Sequence, residues 1–233
     1  MEDLALECAL SAVVNQIDET KPRQPGRPKD LALTTRRRED ILEVSTRLFA
    51  QRGFRNTDLK AVAEELGVAK GTIYNYFDTK NDLFLSCLAY GLEKLSQCVR
   101  ERSFDIADPV ERVSCAVQCY FEFFDGHPEI VELMVQERAE FRQRPTSTYF
   151  LRCDESCNPW VDFFENCRKE GVFRDMPGEK MQEFLGNQLY GTLLAGYFSG
   201  QKRPLKDQVP QILAIFFNGV LNTEAAPGAE EAQ

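Results

Sequence analysis

The sequence predicts an all-α fold in two parts, a small N-terminal helix-turn-helix domain of three helices and a larger C-terminal helical domain. Three observations lead there. Apolar residues recur at the three- and four-residue spacing of a helix along most of the chain. The alternating apolar pattern and tight Asn-Gly or Asp-Gly hairpins of β structure are scarce, and the one Asp125-Gly126 step precedes a His-Pro between two helix-period runs. Charge is also unevenly spread. Lys21 to Lys80 carries 13 Lys and Arg against 8 Asp and Glu, a net of +5, while the remainder carries 15 against 29, a net of −14. A chain of 233 residues has room for two modest cores, and this asymmetry favours that division.

Residues 4 to 17 place Leu6, Leu10, Val13, Val14 and Ile17 at helical spacing, a short amphipathic helix whose role stays open. Residues 21 to 30 hold three prolines and a glycine, which no regular helix tolerates, so 1–30 is expected to be an extension and a flexible basic arm. A helix-period run from Thr35 to Arg52 sets Ile41, Val44, Leu48 and Phe49 on one face and stops at Gly53. Thr57 is placed as the N-cap of a second helix, with Asp58 at the positive end of its dipole. That helix turns Leu59, Val62, Ala63 and Leu66 inward and ends at Gly67. A third, short helix is expected from about Lys70 to Phe77, closing a helix-turn-helix domain over 31–80.

Thr79 and Asp82 form a capping box for a long fourth helix to about Arg102. Pro109 and Pro128 suit the first turns of helices running to Phe124 and Arg144. Further helices are expected at about 148–170, 179–199 and 206–221, completing a domain over 81–222, with 223–233 as a disordered tail.

A pI near 4.9 argues against nucleic-acid binding when read alone, but the basic segment reverses that argument locally. The acidic N-terminus (Glu2, Asp3, Glu7) and the lack of any long apolar run predict a cytoplasmic protein with no membrane partner. In a reducing compartment the eight cysteines are not a disulfide framework by default.

The stretch Asn56 to Phe84 reads NTDLKAVAEELGVAKGTIYNYFDTKNDLF. It resembles the DNA-binding signature of the TetR family of bacterial repressors: a capped helix, an Ala-Glu-x-x-Gly-Val turn, a Gly-Thr-hydrophobic-Tyr-x-Tyr-Phe recognition helix, then a Lys and a long fourth helix. The resemblance covers about 36–86. Small residues Gly71 and Thr72 at the start of the third helix let its backbone approach phosphates and base edges. Ile73 and Phe77 point inward, leaving Tyr74, Asn75 and Tyr76 outward. The resemblance gives the tyrosines phosphates to donate to, and Asn suits bidentate pairing with adenine. Lys70 and Lys80 flank the helix as phosphate contacts, and the backbone amides at the Thr57 helix end suit another phosphate. Two departures stand out. Ala69 replaces the family's frequent Ser or Thr cap, and Asn75 stands where His is frequent, which leaves the operator sequence open. In the arm, Pro25-Gly26-Arg27-Pro28-Lys29 resembles minor-groove hooks, so Arg27 and Lys29 join the expected DNA contacts.

By the same resemblance the later helices bind an effector and a second copy of the chain. Phe184 to Phe198 mixes leucines with Gly186, Gly191, Ala195 and Gly196, which permits close helix approach, and Leu205 to Leu221 is similarly apolar. Aromatic crowding between the middle helices predicts a pocket for a small apolar or aromatic molecule. Its expected lining is Tyr120, Phe124, Met134 and Phe141, with Trp160 and Phe164 and the charged pair Glu137 and Arg138. Cys115 and Cys119, like Cys153 and Cys157, sit four apart on one helix face; a soft-metal or thiol sensor is therefore an alternative, as is a chromosome-organising protein of the same fold without an effector. The single His127, before Pro128, reads as a cap. With one His, no nucleophile elbow and no phosphate-binding loop, the sequence predicts no enzyme, no metal site and no cofactor.

Overall fold

In the computed structural model of the protein, residues 31–200 and 203–221 are described, with backbone only at residue 31 and residues 153–158. The expected helix at 4–17, the arm with Arg27 and Lys29, and the tail at 223–233 lie outside the described residues. The chain separates into two compact units, Met1–Arg36 and Arg37–Gln233.

The described residues are almost wholly helical: α1 (Leu31–Asn56), α2 (Leu59–Glu65), α3 (Lys70–Tyr74), α4 (Lys80–Ser103), α5 (Pro109–Gly126), α6 (Pro128–Glu140), α7 (Thr148–Lys169), α8 (Gly178–Ser199) and α9 (Val209–Val220), with a 3-10 turn at Leu205–Gln208. The only β pairing among them is one isolated bridge, Phe173 to Leu221. No helix among the described residues is long and apolar enough to cross a membrane.

Capping chemistry decides most of the boundaries. Regular α1 geometry breaks at Gly53 (φ 79°, ψ 158°), the residue at which the sequence ends that helix. Gly67 (φ 63°) closes α2 in a left-handed conformation. Val68 N–H donates to the Ala63 carbonyl and Gly67 N–H to that of Glu64, the paired bonds that satisfy a helix C-terminus. Thr79 Oγ1 accepts from Asp82 N–H (3.0 Å), and the Asp82 carboxylate accepts from Asp78 N–H (3.1 Å). Asp108 accepts from Glu111 N–H (2.7 Å) ahead of Pro109. α6 stops at Glu140, short of Arg144, because Phe141 leaves helical geometry.

Two cap assignments are corrected. Asp58, not Thr57, caps α2, its carboxylate accepting from Lys60 N–H (2.8 Å). Thr57 is buried, and its hydroxyl donates back into α1, to the carbonyls of Leu48 (3.2 Å) and Gly53 (2.8 Å). His127 occupies the N-cap position of α6 but makes no capping bond; its Nδ1 lies 3.1 Å from Glu129 instead.

One continuous core runs from Ile41, Val62, Ile73 and Phe77 at the first helices, through Phe84 and Leu88 of α4, to Phe121, Phe164 and Phe216. Phe84 stacks on Phe141 (centroids 5.6 Å), and Phe54 sets its edge against both. Around that aromatic joint Arg55 Nε bonds both carboxylate oxygens of Glu140 (3.0 and 2.8 Å), and the Gln136 amide donates to the Phe49 carbonyl (3.0 Å). The start of α4 and the end of α1 are thereby tied to α6.

Candidate nucleic-acid interface and ligand cavity

α3 is the shortest α-helix among the described residues, and its side chains split sharply. Ile73 is fully buried and Phe77 nearly so, anchoring the segment in the core of α1, α2 and α4. Lys70, Gly71, Tyr74 and Asn75 are exposed, Thr72 is half-buried, and Tyr76 is half-buried against the core. Helical geometry ends at Tyr74 with Asn75 as C-cap, three residues before the expected Phe77, since Thr79 must be extended to cap α4. Ala69 makes no side-chain cap bond, so the first α3 amides have no partner from that side chain.

The flanking lysines are engaged within the protein. Lys70 Nζ pairs with Asp58 (3.2 Å), an exposed contact that competes little with a phosphate. Lys80 Nζ donates to the Arg55 carbonyl (3.1 Å) and lies 4.6 Å from the centre of the Phe54 ring. Partial burial lowers the Lys80 pKa, against the opposing pull of Asp58 and Glu140. Its ammonium therefore also braces the start of α4 against the end of α1.

The second feature is a cavity of about 340 Å³ walled by α4, α5, α7 and α8. Leu92, Leu95 and Val99 of α4 face Val113, Val117 and Tyr120 of α5 across it. Trp160 and Phe164 of α7 and Leu185 and Leu189 of α8 close the other sides. Of the side chains expected to form an effector site, Tyr120, Trp160 and Phe164 line this cavity.

The others do not meet there. Phe124 is buried and borders a wider groove of about 1040 Å³ whose rim is charged, with Glu43, Arg47, Lys94 and Glu132. An apolar molecule gains more from the smaller hollow, whose walls exclude water on several sides. Met134 is a core residue. Phe141 belongs to the aromatic joint with Phe54 and Phe84. Arg138 donates to the Arg144 carbonyl (3.2 Å). Glu137, only 1% exposed, caps α7: its Oε1 accepts from Thr148 N–H (3.0 Å), Thr148 Oγ1 (2.6 Å) and Arg144 (2.6 Å). Its carboxylate is thus occupied by the protein itself.

Sequence reasoning missed Arg112 on α5. Its guanidinium carbon lies 5.3, 5.6 and 4.7 Å from the ring centres of Phe104, Trp160 and Phe163, and it lines the cavity. The position looked like one more charge on a solvated helix face, and only the distant Trp160 and Phe163 give it its setting.

The cysteines also pair differently from their spacing. Cys119 lies 2.8 Å, sulfur to sulfur, from Cys98 on α4, while the Cys115 thiol donates to the Arg102 carbonyl (3.3 Å). The side chains of Cys153 and Cys157 are outside the described residues. Burial pushes the Cys87 and Cys119 thiols up to about 12 and Cys167 to about 11, with the Cys98 thiol adding to the effect at Cys119. Thiolates are the reactive form, so these sites oppose rather than promote thiol chemistry. Alkylation of the native protein at pH 8 is expected to be roughly 100-fold slower at these three cysteines than after unfolding. Peptide mass mapping reads this directly, and equal rates would contradict the burial described.

A short anchored helix held outward after a glycine-closed turn, in a protein otherwise built of helices around a cavity, defines a helix-turn-helix DNA-binding transcriptional regulator. Residues 41–87 match the family model "Bacterial regulatory proteins, tetR family", a match that, with the repressors it resembles, supports a TetR-family regulator. The HTH-type transcriptional repressor KstR2 of Mycobacterium tuberculosis is 26% identical over 186 residues, covering 79% of this chain and 92% of the repressor. The fold is that of the fatty acid degradation regulator FadR from Bacillus halodurans, with a TM-score of 0.68 at 16% identity over 83% of this chain and 96% of that one. FadR from Bacillus subtilis, solved in complex with stearoyl-CoA, superposes with a TM-score of 0.62 at 18% identity, over 78% of this chain and 98% of that one. The family and these relatives are regulators, not enzymes.

Proposed function

We propose that the protein is a homodimeric repressor, with a DNA-binding part over 31–80 and an effector-binding and dimerising part over 81–222, released from its operator by a small, largely apolar or aromatic molecule. The observation that carries the reading is that α4 belongs to both sites. Its first half, through Leu83, Phe84, Cys87 and Leu88, belongs to the same core that holds Ile73 and Phe77, and its second half, from Leu92 to Ser103, walls the cavity. A ligand that prefers one placement of the second half biases the first, and only such differential binding shifts the equilibrium. That a TetR-fold relative holds stearoyl-CoA supports an effector of apolar body.

Dimerisation is supported by what α8 and α9 leave uncovered. Phe184, Phe198 and Ile215 are 52, 69 and 59% exposed, on the two helices expected to meet a second copy. Two-fold pairing then sets two α3 helices at successive major-groove half-sites. Tyr74, Asn75 and Thr72, with Lys70, Gly71 and Tyr76, make the groove and phosphate contacts; Lys80 adds a phosphate contact, Arg27 and Lys29 reach the minor groove, and the Thr57 helix end, capped by the Asp58 carboxylate, adds none.

The test is footprinting of the protein's own promoter and that of its neighbouring gene, followed by Tyr74→Ala. Tyr74 is 47% exposed, and its loss is expected to weaken operator affinity about tenfold with the dimer intact by gel filtration. Unchanged affinity removes α3 as the reading helix.

A further inference from the structure

We propose that the cavity between α4, α5, α7 and α8 takes a compact anionic amphiphile, a carboxylate whose acid group is held by Arg112 and whose apolar body lies along Trp160 and Phe164. This deepens the effector reading above and rests on it.

Charge is the first observation. The ionisable side chains lining the cavity that carry full charge are Arg100, Arg112 and Arg152, and among the described residues no Asp or Glu lines it. Chance does not favour that set, since outside Lys21–Lys80 the chain carries 29 acidic against 15 basic residues. Arg152 shares its charge with Glu93 at 3.4 Å. The three arginines border a hollow whose walls are otherwise mostly leucine, valine and aromatic carbon, and Arg112 is the one held among its aromatic rings.

Arg112 supplies the second. Three aromatic rings surround its guanidinium at 4.7 to 5.6 Å and fix its position by cation–π contact. Its Nε is buried and has no hydrogen-bond partner among the described residues. Leaving a buried charged donor unsatisfied is costly, and a site that does so is shaped for an acceptor arriving from outside. A planar guanidinium presents Nε and a terminal nitrogen side by side, the fork that a carboxylate accepts with two parallel bonds.

Volume sets the size of the molecule. A dry cavity of about 150 Å³ suffices for benzene. At about 340 Å³ this one holds roughly two such rings, or one ring and a short chain bearing the acid.

The chain's one tryptophan is Trp160, so its emission reports occupancy without labelling. Cyclohexylbutanoate and cyclohexylbutanol have the same body, do not absorb with tryptophan, and differ only in the head group. The full-length protein is expected to bind the acid at least about tenfold more tightly than the alcohol. In Arg112→Met that preference is expected to vanish while the alcohol still binds. If Arg112→Met loses its helical circular dichroism, Arg112→Lys replaces it. The lysine keeps the charge but withdraws the Nε donor, and is expected to reduce the preference to about threefold.

An alcohol bound as tightly as the acid overturns the proposal, since a water on Nε would then satisfy the site. So does a preference that survives in both Arg112 variants, or no saturable change with either compound. Operator release is measured in parallel. Acid preference without release keeps the anionic site and overturns the effector reading, whereas release by acid and alcohol alike keeps that reading and overturns the anion.

Discussion

Glu137→Ala is expected to lower the melting temperature by roughly 5–15 °C, the loss that follows from about 2–4 kcal/mol in a domain of this size. The carboxylate is buried among Thr148 N–H, the Thr148 hydroxyl and Arg144, and Ser147, the N-cap residue of α7, makes no capping bond of its own. Alanine would strand the Thr148 amide away from water and remove the charge facing Arg144. Arg144 is 28% exposed at its side chain and can turn to solvent, which keeps the figure below that of a wholly enclosed ion pair. Glu137→Gln retains an acceptor and should lose less. Thermal unfolding of the three proteins followed by circular dichroism decides the matter: an alanine variant that melts with the parent would show that α7 does not depend on this carboxylate.

Gly178→Ala is the second large effect, expected at about 1–3 kcal/mol, or roughly 3–10 °C. A methyl group at Gly178 would stand 2.6 Å from both the Val161 carbonyl oxygen and the Glu165 amide nitrogen, backbone atoms of α7 that no rotamer change can move. The same amide of Gly178 donates to Glu165 (3.3 Å), whose carboxyl is held at about 2, chiefly by Arg168 and then by that bond. A depressed carboxyl stabilises the fold above its unfolded pKa and loses that contribution as pH falls toward its folded value. The α7–α8 contact should therefore weaken toward pH 2 in the parent. A calorimetric scan of Gly178→Ala that matches the parent would mean that the two helices can part without cost.

These two residues also mark where the sequence stops being informative. Its local signals carried far. Gly53, Gly67, Thr79, Pro109 and Pro128 each act through the adjoining turns, so the helix order and most of the recognition segment were legible from one strand of text. Ile73 and Phe77 were readable as anchors because the period of a helix fixes which side they face. Thr57 was misplaced by one residue because Ser, Thr, Asp and Asn compete for the same capping position, and the choice fell to the α1 carbonyls that Thr57 finds across space. The glycines of α8 drew attention as a group, yet within the chain they differ: Gly186 and Gly191 have no close neighbour beyond their own helix, Gly196 lies against the Leu205 side chain, and Gly178, outside that cluster, is pressed by the α7 backbone. Aromatic crowding pointed to a cavity but could not sort its members: Phe124 and Phe141 went to the core and the joint, while Tyr120, Trp160 and Phe164 reached the hollow. Glu137 was assigned to the effector site and Arg112 drew no notice, because what distinguishes each of them is set by residues distant in sequence.

The continuity of α4 has a mechanical consequence. Its 24 residues make a stiff rod about 36 Å long, with Lys80 hooked to the Arg55 carbonyl at one end and Arg100 beside the hollow at the other. Pivoting such a lever by about 5° swings its far tip by about 3 Å, close to the step from one base pair to the next, about 3.4 Å. In the proposed dimer, two copies swinging about a two-fold axis would double the mismatch, so an effector of a dozen atoms lodged at one tip would put the pair of reading heads out of phase with DNA without melting a single turn.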